Sequence, residues 1–376
     1  MVRILELITL GEIGGAQTVL VDLVKGISDR GYKVEIDVVF GAGEYLPQAL
    51  NPWFRGQAAQ MPLLGREINL YKDFMTLLQL KKLFREREYD IIHCHSSKAS
   101  WLGRIAATWA GIPNIYMTVH GTSFHPGTSP LVRKIYKQLE KVVIPFASEY
   151  IFVSPNDLEE MKSLGLDASK CRLIPNGRPV PPPPGEGLRE LLAIPEDTPV
   201  ACMVARLSKV KNPMALVRIA EIVIRQYPRD LLSPKFVLIG DGPMFDQCHS
   251  AIRKAGLEDS IYMVGHKEEA SQYFWDADVA ILTSDYEACP LVAIEAMATG
   301  TPVIASNVGG TGHVVSHGQT GYLYSSNNEE EAAQYLLNLL TDKELRVTMG
   351  NKALEFYQEE FTMERMVDHY VKLFGL

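Results

Sequence analysis

The sequence predicts an α/β protein of two domains, each built on a doubly wound parallel sheet. Three observations predict this architecture. At 376 residues the chain exceeds one typical domain. Short apolar runs alternate with segments of helical periodicity, as strands and helices do in such sheets. The alternation stops at four consecutive prolines near the middle of the chain, Pro181–Pro184, and then begins again.

The first domain opens with a strand, a glycine turn, a helix and a second strand. We predict strands over Val2–Thr9 and Tyr32–Phe40 and a helix over Ala16–Ser28. The turn lacks the G-x-G-x-x-G pattern of dinucleotide sites. Gly14 and Gly15 still allow backbone N–H groups at the helix start to approach a charged ligand, although any tight turn can use two glycines.

The pattern between Gly41 and Asp73 is irregular. It predicts a long surface loop with one short strand near Met61–Leu64. Helices with apolar residues three and four apart are predicted over Asp73–Arg87, Lys98–Ala110 and Leu131–Val143.

Three histidines lie on predicted strands of this half. The strand Tyr89–Ser96 brings His93 and His95 to one face, and His120 ends the strand Asn114–His120. Ligands bind at the carboxyl ends of parallel strands, so His120 is a candidate functional residue. A metal site at the histidine pair lacks a third ligand, and hydrogen-bonded histidines at the rim of a cleft are favoured.

The proline-rich segment Arg178–Gly187 divides the chain, because consecutive prolines form stiff polyproline II and cannot pair inside a sheet. We predict an N-terminal domain over residues 1–178, a hinge over residues 179–190 and a C-terminal domain over residues 191–359. A last helix, at about residues 360–376, is expected to pack back on the N-terminal domain.

The second domain begins with a predicted strand over Pro199–Ala205. The loop after it, Arg206–Pro213, carries Arg206, Lys209 and Lys211 toward the next helix. Cations at such a junction suit the charge of a phosphate, and simple solvation is the alternative for each one. Further strands are predicted over Phe236–Gly242, Ile261–Gly265 and Asp278–Ser284, and a glycine-rich loop is predicted over Asn307–Gly321.

The segment Thr283–Ser306 (TSDYEACPLVAIEAMATGTPVIAS) holds two carboxylates eight residues apart around a predicted helix start. We expect Glu287 on the loop before the helix and Glu295 in its second turn. Pro290 suits the first helical position and Gly300 the left-handed C-terminal cap. Because a helix N-terminus attracts phosphate, the two acids could hold the ends of an elongated ligand such as a nucleotide sugar.

Composition limits the function classes. The net charge of −8 makes nucleic acid an unexpected partner, and no run of about 18 apolar residues predicts a membrane span. Five scattered cysteines, never in C-x-x-C, argue against a disulfide framework. The N-terminus lacks a signal-peptide pattern. We expect a cytoplasmic protein, with the inner face of a membrane as one option.

Several catalytic motifs are absent or poorly placed. The chain has neither the phosphate loop of nucleoside triphosphatases nor the G-x-S-x-G of many hydrolases. Asp276-Ala277-Asp278 matches a metal-binding D-x-D triplet, but it joins a helix end to a strand, which argues against metal binding there.

Seven motifs in order resemble one known family. They are GEIGGAQ, MTVHG, IPNG, ARLSKVKNP, LIGDGP, VGH and the two-glutamate segment EACPLVAIEAMATGTPVIAS. The last is similar to the E-x7-E motif of the retaining glycosyltransferases of family 4. The resemblance covers nearly the whole chain and implies the GT-B fold, in which two Rossmann-like domains face each other across a cleft.

The resemblance also implies residue roles. His120 would lie beside the reacting centre, Arg206 and Lys211 would hold the diphosphate, and Glu287 would bind the donor sugar. Donor binding would involve ten further positions: Gly14, Gly15, Asn176, Asp241, Gly242, Gly265, Cys289, Leu291, Val292 and Glu295. His313 stands where the family often has a glutamate, which puts contacts on the sugar side in doubt.

The resemblance implies a metal-independent transferase in polysaccharide biosynthesis, with a UDP- or GDP-sugar donor and no cofactor. The acceptor would be a glycan, a lipid-linked molecule or a small molecule, and peripheral association with a membrane is an option. The contacts with the acceptor should come from the loops Gly41–Asp73 and Thr122–Pro130. An epimerase or hydrolase on the same scaffold and a non-catalytic nucleotide-sugar-binding protein are the alternatives.

Overall fold

The computed structural model describes residues 1–124 and 128–376. The chain forms two compact units, the first of residues 1–177 and 363–376 and the second of residues 178–362. Each unit has one parallel sheet with helices. The predicted roles of the two domains and of the hinge stay predictions. No helix among the described residues combines the length and apolar character that crossing a bilayer requires.

The first unit has a seven-stranded sheet in the order β3-β2-β1-β4-β5-β6-β7. Its strands are β1 Val2–Ile8, β2 Val34–Phe40, β3 Ala58–Gln60, β4 Ile91–His95, β5 Asn114–Val119, β6 Glu149–Phe152 and β7 Cys171–Leu173. Its helices are α1 Gly15–Asp29, α2 Tyr45–Leu50, α3 Leu70–Arg87, α4 Ser97–Ala110, α5 Pro130–Val143 and α6 Pro155–Lys162. The order reverses between β1 and β4, the arrangement of a doubly wound sheet.

The second unit has a six-stranded sheet in the order β10-β9-β8-β11-β12-β13. Its strands are β8 Val200–Val204, β9 Lys235–Ile239, β10 Ile261–Gly265, β11 Val279–Leu282, β12 Val303–Ser306 and β13 Gly321–Tyr324. Its helices are α7 Leu188–Leu191, α8 Pro213–Gln226, α9 Phe245–Ala255, α10 Leu291–Ala298, α11 Thr311–Val314, α12 Glu329–Thr341 and α13 Lys343–Glu360. The four central strands β8, β9, β11 and β12 are almost entirely buried, which accounts for their continuous apolar runs.

The last helix, α14 (Met363–Phe374), belongs to the first unit and packs against α1. A Cβ atom at Gly26 of α1 would lie 2.5 Å from a methyl group of Val367, so only glycine allows this approach. Met366, Tyr370 and Phe374 are buried on the same helix. The amphipathic pattern of these last residues therefore completes the core of the unit that contains the N-terminus.

Two stretches differ from the sequence prediction. The predicted loop after Gly41 contains the short helix α2, and its strand is β3 (Ala58–Gln60), which pairs with β2. The prediction of a strand near Met61–Leu64 was wrong. Leu64 donates its backbone N–H to the carbonyl of Met61, so these residues form a turn with Leu64 buried.

Three further elements, α11, β13 and α3, differ from the sequence prediction. The predicted loop over Asn307–Gly321 includes the helix α11 and leads directly into a strand that was not predicted, β13. Gly321 was hard to recognise as a strand residue because glycine is rare in strands, but a Cβ there would lie 2.0 Å from the Val303 carbonyl oxygen. Helix α3 begins at Leu70, not Asp73, because the Asn69 side chain caps it.

Candidate active site

The two-glutamate segment lies at the carboxyl end of β11 in the second unit. Glu287 lies on the loop before α10 and Glu295 in its second turn, as predicted. Pro290 precedes the helix as its N-cap, so its prediction as the first helical residue was wrong; its ψ of 105° is extended. Gly300 has φ 73° and ends the helix in the left-handed conformation, as predicted.

The carboxylate of Glu287 is held by two donors. Its Oε1 accepts a hydrogen bond from Lys211 Nζ at 2.5 Å and one from Ser284 Oγ at 2.6 Å. The Glu287 carbonyl accepts the N–H of Gly310 at 2.8 Å. Gly309 has φ 50°, and a Cβ there would lie 2.0 Å from that carbonyl oxygen. The glycine pair thus fixes the backbone of Glu287, while Lys211 and Ser284 fix its side chain.

The cation-bearing loop after β8 is fastened to the same segment. The Thr283 hydroxyl donates to the carbonyls of Lys211 and Asn212 at 3.0 and 2.9 Å, and Asp285 N–H donates to the Val210 carbonyl at 2.7 Å. Arg206 is exposed, and its guanidinium makes no ion pair within residues 1–124 and 128–376. The site therefore has one cation bound to a carboxylate and one available for an anion.

The first backbone N–H groups of α10 also face this site. Those of Leu291 and Val292 donate no hydrogen bond in the described structure, since the intrahelical bonds begin with Ala293. Both residues line a small cavity with Lys211, Ser284 and Glu287. Two free N–H groups at a helix start beside a lysine form an environment for an anion.

Glu295 lies within 2.8 Å of Arg178, whose Nε donates to its Oε1. Both side chains are largely buried, which strengthens the attraction between them. Arg178 thus orients the second glutamate of the motif. This arginine was not predicted as a site residue, because 117 positions separate it from Glu295 and nothing local marks the pair.

The glycine-rich turn after β9 lies against the start of the cation-bearing loop. Leu207 N–H donates to the Asp241 carbonyl at 2.9 Å, and a Cβ at Gly242 (φ 157°) would lie 2.5 Å from the Leu207 carbonyl oxygen. At the end of β10, Gly265 has φ 77° and open space where a Cβ would be. Cys289 is buried before α10. These predicted donor-binding residues follow neighbouring strands at one edge of the sheet.

The D-x-D triplet is occupied by protein donors. Asp276 Oδ2 accepts the N–H of Leu188 at 2.5 Å, and Asp278 accepts hydrogen bonds from Arg189 and the N–H of Val200 and pairs with Arg346. A metal ion would have to displace these partners. His313, on α11, packs edge-on against Phe361, and burial lowers its pKa.

A second group of candidate residues lies in the first unit, around a cavity of about 350 Å³. It opens at the carboxyl ends of β1, β4 and β5, where Thr9, Ser96 and His120 follow the three strands. Ser96 has φ 62° and ψ 152°, a conformation that is rare outside glycine. Its hydroxyl contacts that of Thr9 at 2.6 Å, which holds the strained turn in place.

His120 is tied into the interior of the sheet. Its Nε2 lies 2.8 Å from His95 Nδ1, and His95 Nε2 lies 2.7 Å from Glu6 Oε2. His93 Nδ1 lies 2.8 Å from the same oxygen, and its Nε2 contacts the Thr118 hydroxyl at 2.7 Å. Glu6, His93 and His95 have no solvent exposure. The prediction of hydrogen bonds for the pair is confirmed, but its location at a rim was wrong.

Burial and neighbouring charges determine how this network is protonated. Burial raises the pKa of the Glu6 carboxyl, but His93 and His95 outweigh this effect and lower it to about 2. Burial, with His93 nearby, lowers the pKa of His95 to about 4 and holds the pKa of His120 well below its usual range. At neutral pH, Glu6 is therefore ionised, while His95 and His120 are neutral.

Glu6, His93 and His95 are also the one group of metal-ligand type found among the described residues. Their contacts of 2.7–2.8 Å are hydrogen-bond distances. A tetrahedral ion with bonds of about 2.0–2.2 Å needs its ligand atoms more than about 3 Å apart. The trio would have to spread to admit one, so the hydrogen bond from His95 to Glu6 and the close contact of His93 with Glu6 explain the geometry better.

The remaining predicted residues lie in the first unit. Gly14 is the N-cap of α1 with φ −179°, an extended conformation open to any residue, so its backbone does not require glycine. Gly15 is exposed at the start of α1, and Asn176 is buried after β7. Of the predicted Thr122–Pro130 segment, residues 125–127 lie outside the described residues.

The residues with a place in these two groups that were not predicted include Glu6, Ser96, Arg178 and Ser284. Ser284 could have been found from its position three residues before Glu287. Glu6 faces the histidine strand through the pairing of β1 with β4, in which Glu6 is opposite His93. That register becomes visible only when the order of strands is known.

Comparisons with known proteins agree with the family that the sequence motifs imply. Residues 13–180 match a family described as Glycosyltransferase Family 4, and residues 186–356 match glycosyl transferases group 1. A UDP-Gal:alpha-D-GlcNAc-diphosphoundecaprenol alpha-1,3-galactosyltransferase of Escherichia coli is 30% identical over 88% of this chain and 86% of its own length. N-acetyl-alpha-D-glucosaminyl L-malate synthase of Bacillus anthracis is 24% identical over 96% and 94%.

The fold is also shared with solved structures. Anabaena HepE, solved in complex with UDP and glucose, aligns over the full length of both chains with a TM-score of 0.81 and 22% identity. Both families and the Escherichia coli relative are named as transferases, and these comparisons do not favour the epimerase, hydrolase or non-catalytic alternatives. This chain belongs to the glycosyltransferases of family 4, has their two-domain GT-B fold, and is an enzyme of the transferase class.

Proposed function

We propose that the enzyme transfers a sugar from a UDP-sugar to a lipid-linked acceptor, with retention of configuration and without a metal ion. The observation that carries this proposal is the group formed by Lys211, Glu287 and the free N–H groups of Leu291 and Val292. Lys211, Arg206 and the helix N-terminus would bind the diphosphate. Glu287 would accept hydrogen bonds from the donor sugar, and Glu295, oriented by Arg178, from the ribose.

The chemistry requires stabilisation of a leaving group. As the bond between sugar and diphosphate breaks, negative charge grows on the diphosphate and the sugar becomes an oxocarbenium-like species. Fixed cations and helix N–H groups stabilise that state more than the bound donor, which is what lowers a barrier. Because these groups supply positive charge, and Asp276 and Asp278 already have protein partners, we expect no metal ion.

Retention of configuration is supported by what lines the cavity beside His120. An inverting enzyme needs a base strong enough to take the proton of the acceptor hydroxyl. The described residues around this cavity include no Asp or Glu, and the pKa of His120 lies well below its ordinary value. A mechanism without a strong protein base fits these surroundings better. The choice of uridine follows from the names of the Escherichia coli relative and of the HepE complex.

The first unit carries exposed apolar side chains suited to a lipid-linked acceptor. Along α3, Leu70, Phe74 and Leu78 lie four residues apart and are exposed on one line of the helix. On α5, Leu131 and Ile135 are exposed in the same way. Such side chains favour contact with a lipid phase.

Basic side chains accompany the apolar ones on α5. A groove of about 400 Å³ along this helix is lined by Arg133, Lys134, Lys137 and Lys141. Glu160 pairs with Arg133 and Lys137, whereas Lys134 and Lys141 are exposed and make no ion pair within the described residues. Apolar and cationic groups on one helix suit a membrane with anionic headgroups. The substrate in the name of the Escherichia coli relative, an alpha-D-GlcNAc-diphosphoundecaprenol, is a lipid-linked sugar of the proposed acceptor class.

The proposal is tested by donor binding followed by transfer in a chelator. Thermal shifts with UDP, GDP and UMP should be largest for UDP and smaller for the Glu295→Gln variant. Radiolabelled UDP-sugars, incubated with a diphosphoundecaprenol-linked sugar in EDTA, should yield radioactivity in the lipid extract. Transfer that stops in EDTA and returns with Mn²⁺ would reject metal independence. Release of free sugar with no labelled lipid under any condition would reject the acceptor class.

A further inference from the structure

Three side chains of the first unit form a hydrogen-bonded line from the interior of the sheet to its carboxyl edge. Glu6 Oε2 contacts His95 Nε2 at 2.7 Å, and His95 Nδ1 contacts His120 Nε2 at 2.8 Å. Glu6 and His95 have no solvent exposure, whereas His120 lines the 350 Å³ cavity. A buried carboxylate is thus connected, through one ring, to the ring that faces a ligand.

With Glu6 ionised and His95 neutral, the donors and acceptors in this line can be assigned in one way. A carboxylate only accepts, so His95 Nε2 carries a proton. A neutral imidazole has one N–H, so His95 Nδ1 is an acceptor and His120 Nε2 must donate to it. His120 Nδ1 is then left with a lone pair. In the described structure that atom is shielded from water and has no hydrogen-bond partner.

We propose that Glu6 and His95 are positioning residues that hold the neutral ring of His120 in the tautomer protonated on Nε2. The proposal rests on the function given above and on the position of His120 in the cavity at the carboxyl edge of the sheet. A neutral ring does not repel the positive charge that grows on the sugar carbon. The lone pair on Nδ1 is an unmet acceptor, and a hydroxyl of the bound reactants would satisfy it.

A second branch from the same carboxylate provides a matched control. His93 also contacts Glu6, but its Nε2 leads to the Thr118 hydroxyl and from there to the Tyr370 hydroxyl at 2.8 Å. Tyr370 lies on α14, is buried, and makes no hydrogen bond to His120 or His95. Tyr370→Phe therefore removes one hydroxyl from the network and leaves the line from Glu6 to His120 intact.

The tautomer can be measured directly without any substrate. Long-range ¹H–¹⁵N correlation spectra of the full chain, labelled with ¹⁵N-histidine, distinguish a protonated from an unprotonated ring nitrogen. We expect His120 to carry its proton on Nε2 in the wild type and in Tyr370→Phe. In His95→Gln, whose amide reaches Glu6 but offers no acceptor at the Nδ1 position, this fixed tautomer should be lost. A proton on Nδ1 of wild-type His120, or an unchanged spectrum in His95→Gln, would overturn the proposal.

Kinetics separate positioning from a structural role. His95→Asn retains an acceptor oxygen near the Nδ1 position, whereas His95→Gln does not. Loss of one hydrogen bond that orients His120 should lower kcat by about tenfold in His95→Gln, with a smaller change in KM. His95→Asn should recover part of that loss, and thermal unfolding should be similar in the two variants. Equal activity in the pair would contradict the proposal.

Absence of transfer in the wild type would reject the proposed function and leave the tautomer result standing.

Discussion

Lys211 is the residue on which the proposed chemistry depends most. Its ammonium lies 2.5 Å from Glu287, beside the free N–H groups of α10. In Lys211→Ala, kcat should fall by roughly 10²–10³-fold, with a smaller rise in KM, because the charge on the diphosphate grows toward the transition state. Steady-state kinetics at saturating acceptor measure this. Lys209→Ala, which changes an exposed lysine of the same turn, is the control and should remain near wild type. A raised KM with unchanged kcat in Lys211→Ala would contradict the assignment.

Some residues of the candidate site could be predicted from the sequence, and others could not. Glu287, Glu295 and Lys211 stand in local patterns, beside a helix start or between a strand and a helix, and such patterns imply positions. Arg178 and Glu6 act through partners 117 and 89 positions away. Their pairing depends on tertiary packing and strand order, which no local pattern encodes.

At the level of elements, one buried ion pair fastens α5 to α4. Arg104 is fully buried and donates to Glu140 of α5 at 2.8 Å, while Trp101 donates to the other Glu140 oxygen. Arg104→Met should destabilise the protein by about 3–5 kcal/mol, because it leaves a buried carboxylate without its cation. Arg133→Ala, which breaks a partly exposed pair with Glu160, should cost at most about 1 kcal/mol. Urea unfolding of both variants tests this, and equal losses would show that burial is not the decisive factor.

The exposed apolar side chains of α3 and α5 give a second prediction at this scale. Phe74→Ser combined with Ile135→Ser should weaken sedimentation with vesicles that contain anionic lipid and slow transfer to a lipid-linked acceptor, since apolar contact drives such binding. Transfer to a water-soluble acceptor analogue should remain near wild type. Val347→Ser, at an exposed apolar position of α13 in the second unit, is the control. Unchanged vesicle binding in the double variant would contradict membrane contact through these side chains.

Elements with strong patterns were predicted, and the weakly marked ones were not. The strand Ile261–Gly265 has the predicted bounds, and most helices differ by a few residues at an end. The errors fall on β3, β13, α2 and α11, which have three to six residues each. Such short elements are held by pairing and close packing, as at Gly321, more than by a periodic pattern of their own.

At the scale of the whole molecule, the two units contribute different chemistry. The second unit holds two cations, two glutamates and a helix N-terminus, which suit a nucleotide-diphospho-sugar. The first unit holds a neutral histidine beside a cavity, and apolar and basic side chains on α3 and α5. From these residues we predict that the second unit binds the donor and the first unit binds the acceptor.

In the proposed reaction, the enzyme moves a sugar from a nucleotide diphosphate to an acceptor with retention of configuration. The most direct measurement is an NMR determination of the anomeric configuration of the product formed from an α-linked UDP-sugar, with Glu287→Gln as the inactive comparison. We expect an α-linked product that forms in EDTA and is strongly reduced in the variant. A β-linked product, or equal yield from Glu287→Gln, would contradict it.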